Sequence, residues 1–360
     1  MGNKKEEIGK WYEDIICAIE DEKTLFKFIE LSGVLKGSDP FIIFPWSGGK
    51  TKMKMKLQHI FEEMNEEVEN STGQSYEKYI DLFYGGGGSF FALYEDLLFA
   101  GVKKVILNDI NELLLSVHKN IANNYDEMKS EYIKIVKDKI VKPFGTTHIL
   151  YEDQIIFYEE IRAEFYELQE AENFGVACSI RFIILTMYAF SGNTKIDNDG
   201  KFKFTENSVY NKKGLMNVLT IPVRLKKFNE IYSKFDIEFR LGDAFDLLEE
   251  YKNNPNVLLN MDPPYVEEDR EKKITKDTII CGVGIEYGQP DFPHERLVKN
   301  YLNCTNFIYN NNIHPFLLSY EKSYQLHSTI HDRPNSNSKV KKGTKRNIVR
   351  EIVLWGNKAL

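Results

Sequence analysis

The sequence predicts an α/β protein built on a doubly wound, mostly parallel sheet that carries an inserted, mainly helical lobe. Short apolar runs have the character of buried strands, helical stretches separate several of them, and four glycines follow the first run. Apolar strands that alternate with helices are typical of a parallel sheet covered on both faces. We take the strands to be residues 79–83, 104–108, 256–261, 315–319 and 348–354.

Length and composition agree with a large folded core. The chain has 360 residues, of which 42% are hydrophobic, with 24 Phe and 20 Tyr. Such a chain can bury one large core or a core domain with a second lobe. Neither a signal peptide nor a bilayer-spanning segment is recognisable, so we expect a soluble, cytoplasmic protein. The four cysteines lack paired spacing, so we expect neither a disulfide framework nor a metal site.

The domain organisation is interpreted from changes in pattern along the chain. Residues 1–40 are interpreted as a helical amino-terminal extension, and residues 112–190 carry long helical patterns. Residues 191–222 are polar and rich in Gly, Asn and Lys, which interrupts the alternation of strands and helices. After the extension we therefore place a core domain at 41–115 and 236–360 and an inserted lobe at 116–235.

A glycine turn follows the first strand, and an acidic residue ends the second. Gly85 and Gly87 come directly after a strand and before a helical run. Glycines in this place let the backbone turn tightly and approach a ligand closely. Asp109 ends the next strand, where a carboxylate can accept hydrogen bonds from ribose hydroxyls.

Two better-known glycine motifs do not fit this region. A dinucleotide fingerprint needs a glycine at the position of Phe90, and a P-loop ending in Lys50 needs one at the position of Phe44. Neither a nicotinamide cofactor nor a nucleoside triphosphate is therefore indicated. A purely structural glycine turn stays open as the alternative, because glycine motifs alone often match by chance.

The most informative feature is Asp262-Pro263-Pro264-Tyr265, which directly follows an apolar run. It therefore lies at the carboxyl edge of the sheet, where open α/β sheets bind ligands. Two successive prolines stiffen the loop and remove two backbone donors. We expect Asp262 and the Pro263 carbonyl to accept the two hydrogens of a planar amine, with Tyr265 stacked on its ring. The alternative is a simple turn, because Asp and Pro are common in turns.

These segments, together with residues 45–50 and 107–111, resemble the Dam-like (D12 class, DPPY-type, alpha-group) site-specific DNA adenine-N6 methyltransferases. The resemblance runs from about Phe41 to the carboxyl terminus, although Leu82 replaces a proline that the family usually has. It implies a Rossmann-like fold that uses S-adenosyl-L-methionine, with the core domain as the catalytic domain and the lobe as the target-recognition domain. It also implies methyl transfer, without a metal, to the amino group of an adenine flipped out of double-stranded DNA.

The resemblance assigns roles to individual residues. The catalytic residues would be Asp262, Pro263, Pro264 and Tyr265, and Asp109 would bind the ribose. The cofactor-binding residues would be Trp46, Lys50, Asp81, Phe83, Gly85, Gly87, Asp109, Asp243, Phe245 and Asp262. Plainer interpretations stay open, since Trp46 could be a core residue, Lys50 a solvated charge and Asp243 a helix cap.

Basic residues in the lobe and near the carboxyl terminus are candidates for DNA contact. The net charge of −7 argues mildly against nucleic acid, but the charges are segregated along the chain. Lobe aromatics such as Tyr188, Phe202 and Phe204 are interleaved with lysines, which suits phosphate contact with stacking. A solvated charged surface is the alternative. The expected DNA-binding residues are Lys201, Lys203, Tyr210, Asn211, Lys212, Lys213, Arg224, Lys341, Lys342, Lys345 and Arg346.

The target sequence does not follow from the resemblance. Val209 stands where the family has an arginine that could pair with guanine, so the resemblance does not extend to GATC recognition. Two other functions stay open: methylation of an RNA base or a protein glutamine, and DNA binding by a homologue that has lost catalysis. For the family we expect a monomer from a bacterium or its phage, acting alone or with a cognate restriction endonuclease.

Overall fold

Two compact units divide the residues that the structure describes. The computed structural model describes residues 42–46, 50, 53–141, 151–188, 195–197, 199–204, 218, 220–265, 292–302, 306–312, 315–324, 326–334 and 348–357. The sheet unit comprises the described parts of Trp46–Leu115, Lys195–Lys203 and Lys234–Leu360. The helical unit comprises the described parts of Met1–Pro45, Ser116–Thr194 and Phe204–Ser233.

A seven-stranded sheet forms the centre of the sheet unit. Its strands are β1 (Lys78–Asp81), β2 (Lys104–Asp109), β5 (Asp236–Leu241), β6 (Val257–Met261), β7 (Asn306–Asn312), β8 (His327–Pro334) and β9 (Ile348–Asn357). They follow the order β5-β2-β1-β6-β7-β9-β8. The first five are parallel, and β9 runs antiparallel to both β7 and β8. A mostly parallel sheet of this order has the doubly wound, Rossmann-like architecture that the sequence predicts.

Helices accompany the strands of the sheet unit. They are α1 (Lys54–Thr72), α2 (Gly88–Phe99), α8 (Ala244–Tyr251), α9 (His294–Tyr301) and α10 (Pro315–Tyr324), and α3 (Glu112–Asn123) begins there. A small antiparallel hairpin, β3 (Lys195–Ile196) with β4 (Phe202–Lys203), completes the unit. The strand order reverses between β1 and β6, which lie side by side although 175 residues of chain, from 82 to 256, separate them. Open α/β sheets bind ligands beyond the strand ends at such a point.

Both faces of the sheet are buried, and one of them carries a polar pair near its carboxyl edge. On one face Ile80, Leu259, Phe307 and Leu354 form an apolar core with side chains from α8, α9 and α10, such as Leu297. On the other face Asp81 pairs with Asn260 across β1 and β6, and each of them also pairs with an apolar residue, Leu107 or Ile308. Side chains of directly paired residues share a face. A buried polar pair therefore lies near the carboxyl edge of the sheet.

Helices α4 (Tyr125–Val136), α5 (Tyr151–Glu170), α6 (Val176–Tyr188) and α7 (Ile221–Tyr232) form the helical unit with the rest of α3, and a π-helical turn, Lys137–Val141, follows α4. An ion-pair network holds three of these helices together. Arg181 on α6 bonds Glu131 on α4 and Glu164 on α5, both at 2.7 Å. None of the helices that the structure describes is long and apolar enough to cross a membrane.

The structure corrects one predicted strand. Residues 315–319 belong to the helix α10, not to a strand. Pro315 is favoured in the first turn of a helix, because it lacks the backbone donor that this position leaves unbonded. The strand is β7, which lies just before this helix. Its four asparagines interrupt the apolar pattern, so a prediction based on apolar runs missed it.

The hairpin of β3 and β4 lies with the sheet unit, whereas the sequence placed its residues in the inserted lobe. Its contacts explain the difference. The side-chain amide of Asn111 donates to the Gly200 carbonyl at 3.2 Å, and the Phe202 ring makes an edge contact with Trp46 at 6.2 Å. The helices predicted within 112–190 agree with α3 to α6 in the described residues. The predicted extension at 1–40 lies outside the described residues.

Candidate active site

Three acidic residues mark the carboxyl edge of the sheet. Asp81 ends β1, Asp109 ends β2 and Asp262 follows β6. Parallel pairing of β1 with both neighbours brings these strand ends to one edge. The sequence predicted Asp109 and Asp262 at this edge, because each follows an apolar run, whereas Asp81 lies within the predicted strand 79–83.

Lys50 ties the catalytic tetrapeptide to the segment before α1. Its ammonium donates to Asp262 Oδ1 at 2.9 Å and lies 2.7 Å from Oδ2. It also donates to the Tyr265 hydroxyl at 2.6 Å and lies 5.1 Å from the centre of that ring. Lys50 is 1% exposed, whereas the Asp262 side chain is 19% exposed. The pair therefore has a buried cation and a carboxylate that is still partly accessible.

The protonation of Asp262 is governed by opposing effects. Burial raises the pKa of its carboxyl, and the adjacent Lys50 ammonium lowers that pKa. The negative charge of Glu351 raises the pKa again, while a hydrogen bond with Tyr265 lowers it. The net result is a raised pKa, which makes the carboxylate a stronger hydrogen-bond acceptor than an exposed one.

Asp81 is more deeply buried than Asp262, and its hydrogen bonds among the described residues come from neutral donors. Asn260 Nδ2 donates to Oδ1 at 3.1 Å, and the Tyr79 hydroxyl donates to Oδ2 at 3.3 Å. Burial raises the pKa of Asp81 to about 7, a rise that these hydrogen bonds oppose and the charge of Asp262 increases. The Asp81 carboxyl is thus close to half-protonated at neutral pH.

Trp46 covers the glycine turn. Gly85 and Gly87 have φ of +50° and +75°, a left-handed backbone that favours glycine. A Cβ on Gly86 would lie 2.6 Å from Trp46 Cβ, and one on Gly85 would lie 2.9 Å from the indole nitrogen. The sequence predicted close approach of a ligand to this turn, and the structure shows close approach of Trp46.

Asp109 is fixed by backbone donors. The amide of Gly85 donates to Oδ2 at 2.8 Å, and the amide of Asn111 donates to Oδ1 at 2.9 Å. Burial raises the pKa of Asp109, and these backbone bonds lower it. A backbone bond from Ile110 also lowers this pKa, and of the roughly four acceptor sites of a carboxylate Asp109 therefore retains about one for a hydroxyl donor.

Two asparagines that the sequence reasoning missed support the strand ends. Asn108 on β2 donates to the carbonyls of Leu82 at 3.0 Å and Gly242 at 3.2 Å, which links three neighbouring chain segments. Asn260 on β6 holds Asp81. Both are buried, and the side-chain oxygen of each has no partner among the described residues. The sequence signal that could have found them is an asparagine one or two residues before the acidic residue at a strand end.

Asp243 and Phe245 have structural contacts at the start of α8. Asp243 is the helix cap, since its Oδ1 accepts a bond of 2.9 Å from the Phe245 amide. Phe245 is buried, and its ring stacks on that of Phe292 with the ring centres 6.0 Å apart. Phe83 contacts the Phe292 ring edge-on at 5.4 Å. Their expected contact with a cofactor stays a prediction.

Three of the expected DNA-binding residues are described. Lys203 is exposed and bonds Asp197 at 3.2 Å, and the half-buried Lys201 donates from its backbone amide to the same carboxylate at 2.9 Å. Arg224 is half-buried and donates to the Ile42 carbonyl and, at 3.0 Å, to Thr220. The others lie outside the described residues: Tyr210, Asn211, Lys212, Lys213, Lys341, Lys342, Lys345 and Arg346.

The suggestion that lobe aromatics stack on DNA is wrong for three of them. Tyr188, Phe202 and Phe204 are between 0% and 4% exposed. Phe204 packs edge-on against Phe165 at 5.4 Å, within the helical unit. Aromatic rings at such positions stabilise the fold by burial instead of offering a face to a base.

Comparison with known proteins identifies the chain's relatives. The family model for the D12 class N6 adenine-specific DNA methyltransferase matches residues 46–341, which include the acidic edge and the Lys50 contacts described above. The type II methyltransferase M.MjaIII of Methanocaldococcus jannaschii is 26% identical over 267 residues, or 73% of this chain and 78% of that protein. The chain therefore belongs to the D12 class of N6 adenine-specific DNA methyltransferases, and its function is DNA adenine methylation.

Proposed function

We propose that the chain transfers a methyl group from S-adenosyl-L-methionine to the amino group of an adenine flipped out of double-stranded DNA. The observation that carries this proposal is the contact of Lys50 with both Asp262 and Tyr265 at the point where the strand order reverses. An acidic side chain and an aromatic ring are there held in one place by a single buried cation. The carboxylate and the ring together form a binding site for a planar amine.

The residues at the sheet edge fit the proposed cofactor. Asp109 can accept a bond from a ribose hydroxyl, because the backbone donors of Gly85, Ile110 and Asn111 use only part of its capacity. Asp81 and Asp262 place two carboxyl groups at this edge, which suits a cationic group. S-adenosyl-L-methionine, when bound, supplies an activated methyl group on a positively charged sulfur.

The chain's own residues would orient the amine. Asp262 and the Pro263 carbonyl accept its two hydrogens, which directs the nitrogen lone pair out of the ring plane. Tyr265 stacks on the base, a contact worth about 1–3 kcal/mol per base in single-strand binders. Lys50 holds Asp262 and Tyr265 together, so the acceptor and the stacking ring are positioned before the base enters.

Several finer assignments belong to this proposal and not to the family membership. Flipping is required because an adenine within the duplex cannot reach Asp262. We further propose a monomer in the cytoplasm, with the helical unit as the target-recognition domain and no metal in the reaction. The relative M.MjaIII is named a type II methyltransferase, which supports a cognate restriction endonuclease as partner.

The test is methyl incorporation by the Asp262→Ala variant. Labelled S-adenosyl-L-methionine is offered with duplex DNA, RNA or protein, and DNA binding is measured in parallel. The wild type is expected to label duplex DNA, and the variant to lose about 100-fold or more of that activity while it still binds DNA. Full activity in Asp262→Ala would show that the residue is wrongly assigned.

Two further variants separate chemistry from folding. Asp262→Asn keeps the side-chain shape beside Lys50 and is also expected to lose activity, because a neutral amide accepts hydrogen bonds more weakly. Asp246→Asn, on the exposed first turn of α8, is the matched control and keeps wild-type activity.

A further inference from the structure

Asn310 is a buried polar residue on β7 that lies outside the catalytic and glycine motifs. It is 1% exposed, and neither the oxygen nor the nitrogen of its side-chain amide has a hydrogen-bond partner among the described residues. Most buried polar side chains are hydrogen-bonded, because a buried amide without a partner destabilises the fold. The unbonded amide of Asn310 therefore points to a ligand.

Strand register places Asn310 beside Asp262. The parallel pairing of β6 with β7 extends to Met261 and Tyr309, and Asp262 and Asn310 are the next residues along the two segments. Neighbouring strands lie about 4.8 Å apart, so these two residues are neighbours at the carboxyl edge of the sheet.

The side chains of Asn310 and Asp262 lie on the same face of the sheet. Met261 and Tyr309 belong to the apolar core on the opposite face. Successive side chains of a strand alternate between the faces, so the residue that follows each of them points away from that core. Asn260 shares the face of Asn310, and its side-chain oxygen also has no partner in the described part of the chain. Polar groups able to bind a ligand are thus grouped beside Asp262.

Strand order separates Asn310 from the proposed cofactor site. Asp109, the proposed ribose acceptor, ends β2, and the order β2-β1-β6-β7 puts it two strands from Asp262 on one side. Asn310 lies one strand from Asp262 on the other side. Three strand spacings, about 14 Å, therefore separate Asp109 from Asn310. This arrangement places Asn310 with the substrate and not with the ribose.

The side-chain amide of Asn310 fits the edge of an adenine. In the proposed function, Asp262 and the Pro263 carbonyl accept the two hydrogens of the amino group. The ring nitrogens on either side of that amino group are acceptors and require a donor. Asn310 Nδ2 is such a donor, and asparagine amides pair with adenine in nucleic-acid recognition.

We propose that Asn310 binds and positions the target base, with its side-chain amide donating to a ring nitrogen of adenine beside the amino group that Asp262 holds. The inference rests on the proposed function, because it requires an adenine that has been flipped into this site. A contact on the base edge fixes the rotation of the ring stacked on Tyr265. The amino nitrogen is thereby kept in line for methyl transfer.

The experiment compares Asn310→Leu with the wild type in methyl transfer from labelled S-adenosyl-L-methionine to duplex DNA that lacks adenine methylation. We expect kcat/KM to fall about ten- to a hundredfold. The loss should be mainly in kcat, because phosphate contacts supply most of the affinity for DNA. Calorimetry should show a change of less than about twofold in the affinity for S-adenosyl-L-methionine. The melting temperature should equal or exceed that of the wild type, because an unbonded amide has been replaced by an apolar group of similar size.

Asn306→Leu is the matched control on the same strand and face. Asn306 lies at the amino end of β7, four residues or about 13 Å from Asn310, and its Nδ2 donates to the Pro255 carbonyl at 2.7 Å. Its replacement should lower the melting temperature and leave kcat/KM unchanged while the protein is folded. A structural asparagine and a base-binding asparagine thus give opposite results.

Wild-type kcat/KM in Asn310→Leu would overturn the proposal. So would a parallel loss of affinity for S-adenosyl-L-methionine, which would place Asn310 with the cofactor, or the result expected of Asn306→Leu. If the wild type labels no duplex DNA, the proposed function itself is wrong and this inference fails with it. Should Asn310→Leu not fold, Asn310→Ala replaces it, with the same expected loss of kcat/KM and the same results counting against the proposal.

Discussion

Replacing Asp81 by asparagine should change how the stability of this protein depends on pH. Burial raises the pKa of Asp81 from the unperturbed 3.8 to about 7. A carboxyl whose pKa is higher in the folded state contributes stability that is complete below its unfolded pKa and is lost as pH rises through the folded value. The wild type should therefore lose stability from this residue between about pH 4 and about pH 7.

The structure sets the size of the effect. Each pH unit between the two pKa values corresponds to about 1.4 kcal/mol, so the contribution lost from about pH 5 to about pH 8 is about 2.5 kcal/mol. Asp81→Asn cannot ionise, and its amide can still meet Asn260 and Tyr79. The variant should not lose this stability, so its free energy of unfolding should rise relative to that of the wild type as pH rises.

Urea unfolding at the two pH values, without cofactor, measures the free energy of unfolding. At each pH, the free energy of unfolding of the wild type is subtracted from that of the variant. The change in this difference between the two pH values is the result, because the subtraction removes the contribution of the other titrating groups. Asp246→Asn, at an exposed position, is the matched control and should change stability by less than about 0.5 kcal/mol. A difference between Asp81→Asn and wild type that is the same at both pH values would refute the reasoning.

Three further predictions concern the residues around this edge. Lys50→Met leaves the Asp262 charge without its cation and should destabilise the fold by about 3–5 kcal/mol in urea unfolding at neutral pH; no loss would mean that the pair is not a buried one. Gly86→Ala forces Trp46 to move and should cost about 1–3 kcal/mol with a change in tryptophan fluorescence, whereas Gly242→Ala, where a Cβ meets nothing within 4 Å, should change neither. Asp243→Ala removes the cap of α8 and should cost about 1 kcal/mol; an unchanged melting temperature would contradict the capping role.

The sequence by itself determined the fold class and the chemistry of the strand ends. Asp109 and Asp262 each follow an apolar run, and parallel strands bring such ends to one edge, so local pattern was enough to place them together. The same rule failed for β7, because its asparagines carry no apolar pattern. A buried strand that carries polar side chains lacks the apolar pattern, so hydrophobic periodicity does not predict it.

Tertiary structure alone decided how these groups act on each other. Lys50 and Asp262 are 212 residues apart, and nothing in either segment specifies their contact. The raised pKa of Asp81 depends on burial, which the motif does not contain. Asn310 lies beside Asp262 only through the register of β6 with β7. Charge, burial and distance are properties of the packed chain, so the sequence could name Lys50 and the amine-holding residues but not the contacts between them.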